Sequence, residues 1–265
     1  MRILILITLL FQTIFSFGQL IQKETVQSLY IELYRDSTPL GSGTGFIIKS
    51  KTKNYLVTNY HVLTNKNPVT GQWLDPKIPI APNRVAIVQN ASKLGDYVIK
   101  WEKLLDKNGN PLWHETKINK EMVDVVELPL HDTTGIAIYP VAYNNIVPDS
   151  FAIAPTDRVF IIGFPLGLKS APFFPIWKSG LIASEPEIDQ ENKPVVWIDV
   201  ASFPGMSGSP TYIILNETTT KSGDRIMFVG HQTFFMGVFS HGHPNQVYGA
   251  LWKASFLKDI FDKLP

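Results

Sequence analysis

The chain contains 265 residues, of which 45% are hydrophobic and 18% are charged, a balance typical of a globular protein and not of a disordered one. Its net charge of +1 comes from 24 basic and 23 acidic residues, which argues against a nucleic-acid-binding protein that depends on a basic surface. The absence of cysteine excludes disulfides, zinc–thiolate sites and thiol nucleophiles.

The first 18 residues have the pattern of a secretory signal peptide. Arg2 supplies the positive start, residues 3–17 are almost continuously apolar, and the small residues Ser16 and Gly18 lie two apart. We therefore expect cleavage after Gly18, a mature chain that begins at Gln19, and export to the periplasm or out of the cell. The alternative is a retained membrane anchor, but the apolar run is shorter than the roughly 20 residues that span a bilayer.

The rest of the sequence is a succession of short runs rich in Val, Ile, Phe and Tyr, separated by Gly, Pro, Asn and Asp. Such runs, without helical patterns between them, predict an all-β barrel or sandwich. The predicted strands are residues 26–34, 44–49, 55–59, 84–89, 97–101, 122–128, 158–164, 176–183, 195–201, 211–215, 226–230, 234–240 and 247–252. Residues 129–150 are the predicted linker between two β halves. An amphipathic pattern at residues 254–264 predicts a closing α-helix.

A serine between glycines is the first candidate for chemistry. Ser207 lies in the segment Gly205-Met-Ser-Gly-Ser-Pro210. Glycines permit positive φ and the close approach of a substrate, and consecutive amides in such a turn can converge on one oxyanion. A surface turn would explain the same residues, so the motif needs partners before it predicts catalysis.

Two further residues supply those partners. A serine hydroxyl needs a base to accept its proton, and His61 follows the apolar run Tyr55-Leu-Val-Thr-Asn-Tyr. A carboxylate must orient that base, and Asp124 begins the apolar run that ends at Leu128. Asp132 is the alternative carboxylate.

Together these segments resemble the chymotrypsin-fold serine peptidases, in particular the bacterial branch with glutamyl endopeptidases and high-temperature-requirement proteases. The order His61, Asp124, Ser207 is that of the family, and Gly43-Thr-Gly-Phe-Ile-Ile and Gly163-Phe-Pro-Leu-Gly167 are similar to its landmarks. The resemblance implies two six-stranded antiparallel Greek-key β-barrels and a C-terminal α-helix. We expect residues 19–140 to form the barrel with His and Asp, and residues 141–265 the barrel with Ser and the helix.

The resemblance also implies the remaining parts of the site. The backbone amides of Gly205 and Ser207 would form the oxyanion hole. The substrate pocket would have Ala201 and Ser202 at its floor and Phe239, His241 and Gly242 in its wall. Because Ala201 carries no charge, we expect a preference for small or medium apolar residues before the scissile bond. The alternative is acidic specificity, with His241 and Ser202 as polar contacts.

Several other functions are not expected. The Gly41-x-Gly-x-Gly pattern leads into a strand instead of a helix, so it does not predict a phosphate loop. His241-Gly-His243 supplies only two ligands, too few for a metal site, and no cofactor is expected. Met206 cannot form the ion pair that activates animal digestive zymogens. The sequence thus predicts an exported serine endopeptidase that acts on proteins or peptides, with a catalytically silent protease-like binding module as the alternative.

Overall fold

The computed structural model describes residues 21–242 and 248–265, with His241 and Gly242 described by their backbone pairing only. The predicted signal peptide, residues 1–18, and the predicted mature terminus at Gln19 lie outside this part of the chain. Within the described ranges, no helix is both long enough and apolar enough to cross a bilayer.

The first half of the chain forms one antiparallel sheet. Its elements are α1 Lys23–Gln27, β1 Ser28–Arg35, β2 Thr38–Lys49, β3 Asn54–Thr58, α2 Tyr60–Thr64, β4 Arg84–Asn90, β5 Tyr97–Lys103, β6 His114–Ile118 and β7 Glu121–Pro129. The seven strands follow the order β5-β4-β1-β2-β3-β7-β6.

The second half forms a closed barrel of six strands in the order β10-β13-β12-β11-β8-β9. Its strands are β8 Arg158–Gly163, β9 Ile176–Ile182, β10 Val195–Asp199, β11 Pro210–Thr219, β12 Arg225–Gly242 and β13 Tyr248–Lys253. A short 3-10 turn, Pro165–Gly167, follows β8, and the helix α3, Ala254–Phe261, follows β13.

Three apolar clusters hold these elements together. One fills the first sheet around Ile31, Leu56 and Val126, and another fills the second barrel around Ile161 and Phe239. The third lies between the two halves and beneath α3, with residues from both sheets and the helix: Phe46, Tyr55, Val125, Tyr212, Phe235, Leu257 and Phe261. Side-chain alternation along each strand allows one strand to contribute to two clusters. The two halves therefore share a continuous core.

The prediction of a two-barrel, all-β fold with a C-terminal helix is confirmed. The first sheet has seven strands instead of six, because β6 pairs with β7 although its sequence, His-Glu-Thr-Lys-Ile, is too polar to predict a strand. The two predicted strands at 226–230 and 234–240 are one strand, β12, whose pairing with β11 shifts register twice. The helix ends at Phe261, three residues before the predicted end at residue 264.

Candidate active site

The candidate base lies in the first turn of α2, directly after the buried strand β3. Asn59 leaves the strand in an extended conformation, and α2 is closed by Asn65, whose left-handed backbone lets its N–H donate to the His61 carbonyl at 2.8 Å. The His61 residue is only 7% exposed. The short helix thus fixes the backbone that carries the imidazole.

The candidate carboxylate lies on β7, next to α2, and is 2% exposed. Asp124 Oδ2 lies 2.7 Å from His61 Nδ1, and Asp124 Oδ1 accepts a hydrogen bond from the His61 backbone N–H at 3.0 Å. Ser240 Oγ donates to the same Oδ2 atom. A buried carboxylate is stable only when it is paired or hydrogen-bonded, and these contacts satisfy that requirement. They also favour the tautomer in which Nδ1 carries the proton.

The candidate nucleophile completes a chain of hydrogen bonds. Ser207 Oγ lies 2.8 Å from His61 Nε2, within the range for proton transfer from a hydroxyl to an imidazole. The turn that presents it depends on the two flanking glycines. Gly205 has φ of 91° and Gly208 has φ of 85°. A Cβ at Gly208 would lie 2.0 Å from the Thr44 carbonyl oxygen, so no side chain fits there.

Two carbonyls of the same turn are fixed, and this determines where two amides point. Pro204 O accepts from Leu166 N at 2.6 Å, and Met206 O accepts from Ser209 N at 3.1 Å. In a trans peptide the N–H lies opposite the C=O, so the amides of Gly205 and Ser207 point away from these donors. Among the described residues, neither amide has a protein acceptor. This geometry is suited to binding an oxyanion.

Three residues that support this site were not predicted from the sequence. Ser240 contacts Asp124, Asn59 Nδ2 donates to the Asp124 carbonyl at 2.5 Å, and Thr44 contacts the nucleophile turn. In the sequence, the only feature that pointed to Ser240 was its position next to Phe239. Neighbouring side chains of a strand lie on opposite faces, so Ser240 would face away from Phe239. The contact of Asn59 joins residues 65 apart in sequence and has no local signature.

Of the residues predicted for the substrate pocket, some lie at the surface and at least one is fully buried. Ala201 is exposed and Ser202 is partly buried. Phe239 has no exposed surface and packs over Gly249, where a Cβ would lie 2.1 Å from the Phe239 ring. The β12–β13 pairing shifts register between Ser240 and Gly242. The side chain of His241 lies outside the described part of the structure.

The structure also places the alternative carboxylate, Asp132, and the residue before the candidate nucleophile, Met206. Asp132 is exposed and accepts from Lys100 Nζ at 2.6 Å; this hydrogen bond, together with those from Thr134, lowers the pKa of Asp132 to about 2. Met206 is 1% exposed and packs in the core of the second barrel. Within the described ranges no group of three or more His, Asp or Glu side chains could hold a metal ion, and His243 lies outside them.

A cavity of about 300 Å³ adjoins the buried Asp124 and Ser240. Trp197, Trp252 and Val69 supply apolar surface. Charges of both signs also line it, from Glu191 and from Lys193, which is paired with Glu121 at 2.7 Å. A cleft with apolar walls and a few polar groups is the usual form of a binding site for small molecules and peptide side chains.

Comparison with known proteins defines the class. Residues 43–217, about two thirds of the chain, match the family described as "Trypsin-like peptidase domain", so the chain belongs to this family of chymotrypsin-fold serine peptidases. The resemblance inferred from the sequence is confirmed, and the protein belongs to the class of serine proteases.

Solved structures similar to this chain have low sequence identity. A serine endoprotease from Yersinia pestis is 14% identical, with a TM-score of 0.47; the match covers 91% of this chain and 64% of that protein. The inactive form of a protein from M. tuberculosis H37Rv, with a serine-to-alanine mutation, is 17% identical and has a TM-score of 0.45. The match covers 92% of this chain and 90% of that chain. A thermostable serine protease from an extremophilic microorganism is 13% identical and has a TM-score of 0.47. The match covers 91% of this chain and 97% of that chain. The chain thus spans less than two thirds of the Yersinia protein. No curated protein sequence matched.

Proposed function

We propose that the protein is an exported serine endopeptidase that hydrolyses peptide bonds through an acyl-enzyme, with Ser207 as nucleophile, His61 as base and Asp124 as the group that orients His61. The observation that carries this proposal is the continuous chain of contacts from Asp124 to His61 at 2.7 Å and from His61 to Ser207 at 2.8 Å. A protease-like fold used only for binding would need none of these distances.

The proposed reaction has two halves. Ser207 Oγ attacks the substrate carbonyl while its proton passes to His61 Nε2, and the charged imidazole is stabilised by Asp124. The amides of Gly205 and Ser207 donate to the oxyanion. When the tetrahedral intermediate collapses, His61 returns the proton to the leaving amine, and an ester of Ser207 remains. Water then attacks this ester with His61 as base, which releases the acid and restores the serine.

The proposed specificity is for small or medium apolar residues before the scissile bond. Ala201 is exposed and supplies no charge, whereas Phe239 is fully buried and offers no polar group. A charged side chain in such a pocket would lose hydration without compensation. Cleavage profiling on a random peptide library tests this proposal. A strong preference for Glu would favour the acidic alternative, and a preference for Lys or Arg would exclude both.

The decisive experiment for catalysis is covalent labelling. A fluorophosphonate probe should label the wild-type protein and fail to label Ser207→Ala, and the same variant should lose hydrolysis of casein or of library peptides. His61→Ala should lose both as well, and the double variant should be little worse than either single one because triad members act as a unit. A folded wild-type protein without labelling would favour the silent binding module.

A further inference from the structure

Thr44 contacts the nucleophile turn from the opposite sheet. It lies on β2, has no exposed surface, and comes from the glycine-rich segment Gly41-x-Gly-x-Gly. Its backbone N–H donates to the Ser207 carbonyl at 2.9 Å. Its hydroxyl donates to the Gly205 carbonyl at 2.7 Å and accepts from the Phe164 N–H at 3.1 Å.

The hydroxyl therefore connects two loops of the second barrel. A hydroxyl has one proton to donate, and here that proton is committed to Gly205 O because the Phe164 contact uses a lone pair. The surroundings leave little freedom for it to turn elsewhere. A Cβ added at Gly163 would lie 2.7 Å from Thr44 Oγ1, so the hydroxyl fills its space.

Gly205 lies between two peptide units, and hydrogen bonds hold both. The preceding unit has one such bond and the following unit has two, because the Met206 N–H also donates to Phe203 O at 3.2 Å. Leu166 N fixes the unit that precedes Gly205, and the Thr44 hydroxyl fixes the unit that follows it. Glycine has a wide range of accessible conformations, so a glycine amide is poorly directed unless its neighbours are restrained. Of these three contacts, only that of the Thr44 hydroxyl comes from the first sheet.

We propose that the Thr44 hydroxyl is a positioning group for the oxyanion hole: it holds the Gly205 carbonyl across the boundary between the sheets and so directs the Gly205 amide. This inference rests on the proposed peptidase function. An oxyanion contact strengthens between ground state and transition state, so losing its alignment lowers kcat and leaves KM nearly unchanged.

The test compares Thr44→Val, which has the shape of threonine without its hydroxyl, with Thr44→Ser, which keeps the hydroxyl. We expect Thr44→Val to lower kcat about 10- to 100-fold, less than the 10²- to 10³-fold loss typical when an oxyanion donor is removed. KM should change by less than about threefold, as expected for a loss confined to the transition state. Thr44→Ser should keep a kcat close to that of the wild type. A peptide boronate with the residue preferred in library profiling should bind the Val variant more weakly by the same factor as kcat.

Ser28→Ala is the matched control. Ser28 is also buried on the first sheet, and its hydroxyl also donates across to the second barrel, to the Ile162 carbonyl at 2.6 Å. This variant removes a comparable hydrogen bond away from the nucleophile turn. It should lower thermal stability while kcat and boronate affinity stay close to wild type. All assays are run well below the melting temperature of each variant, and Thr44→Ala replaces Thr44→Val if the valine variant does not fold.

The outcomes separate the two proposals. If the wild type hydrolyses peptides and the Thr44→Val or Thr44→Ala variant behaves like Ser28→Ala, the positioning role is refuted and the peptidase function stands. Failure of Thr44→Ser to keep a kcat close to that of the wild type would also refute a role for the hydroxyl. If the folded wild type neither hydrolyses peptides nor reacts with fluorophosphonate, the proposed function fails and the role of Thr44 fails with it.

Discussion

Replacing Glu127 by glutamine should stabilise the protein at alkaline pH. Glu127 lies on β7 and has no exposed surface. It is on the same face of the strand as Val123 and Val125, which pack in the core between the two halves. Within the described structure, neither of its carboxylate oxygens has a hydrogen-bond partner. Burial raises the pKa of Glu127 from 4.5 to about 8.

The groups near this carboxylate do not neutralise it. Tyr55 on β3 has its pKa raised by burial and by the charge of Glu127, and His114 on β6, which pairs with Glu127, has its pKa lowered by burial. His114 is therefore mostly uncharged where Glu127 ionises. Ionisation of Glu127 places a charge in the core without a partner.

The size of the effect follows from the two pKa values. Between pH 4.5 and about 8 the folded protein holds a proton on Glu127 that the unfolded chain releases, so the free energy of unfolding falls as pH rises. The difference of 3.5 pKa units, at about 1.4 kcal/mol per unit, amounts to roughly 5 kcal/mol once the pH exceeds 8. Below pH 4.5 the carboxyl is protonated in both states and this loss is absent.

The assay is urea unfolding followed by tryptophan fluorescence from pH 4.5 to 9, in a Ser207→Ala background to prevent autolysis. Glu127→Gln should match its parent near pH 4.5 and exceed it by several kcal/mol near pH 9, close to the roughly 5 kcal/mol lost on ionisation. Glu185→Gln, at an exposed position, is the control and should follow its parent at every pH. A constant difference between Glu127→Gln and its parent across this range would refute the reasoning.

Three further predictions concern the site and its maturation. Asp124→Asn should lower kcat by about 10⁴-fold because it favours the wrong imidazole tautomer, whereas Asp132→Asn should leave kcat near wild type; the reverse result would reassign the acid. Ser240→Ala removes a hydrogen bond to a charged group, worth about 1.5–3 kcal/mol, and should lower kcat at least about tenfold without changing Ser207 labelling stoichiometry. A kcat equal to wild type would show that Ser240 has no part in orienting Asp124. N-terminal sequencing of active, exported protein should begin at Gln19 with no later cut, and activity that appears only after a further internal cleavage would contradict this.

The sequence predicted those parts of the molecule that local patterns encode. The strand runs, the helix after residue 253 and the order of His61, Asp124 and Ser207 all have short sequence signatures, and the fold they predicted is confirmed. Strand β6 was not predicted because its residues are polar. It forms a strand only through its pairing with β7.

The remaining contacts depend on register, which no local pattern specifies. Ser240 reaches Asp124 across 116 residues, and the Thr44 hydroxyl reaches Gly205 across 161 residues. Each contact requires two strands or loops to be aligned to within one residue, since a slip of one would turn the side chain to the opposite face. The burial of Glu127 has the same origin, because its sequence neighbourhood does not show which face of β7 meets the second half.

The division of the candidate triad between two sheets sets when the site can be complete during folding. Ser207 follows His61 by 146 residues, so a chain that has formed only the first sheet holds the candidate base and carboxylate without the candidate nucleophile. The barrel that holds Ser207 closes only when Val195 pairs with Trp252, which is translated 45 residues after Ser207. A partly folded chain therefore has no complete candidate site until β13 has joined the barrel.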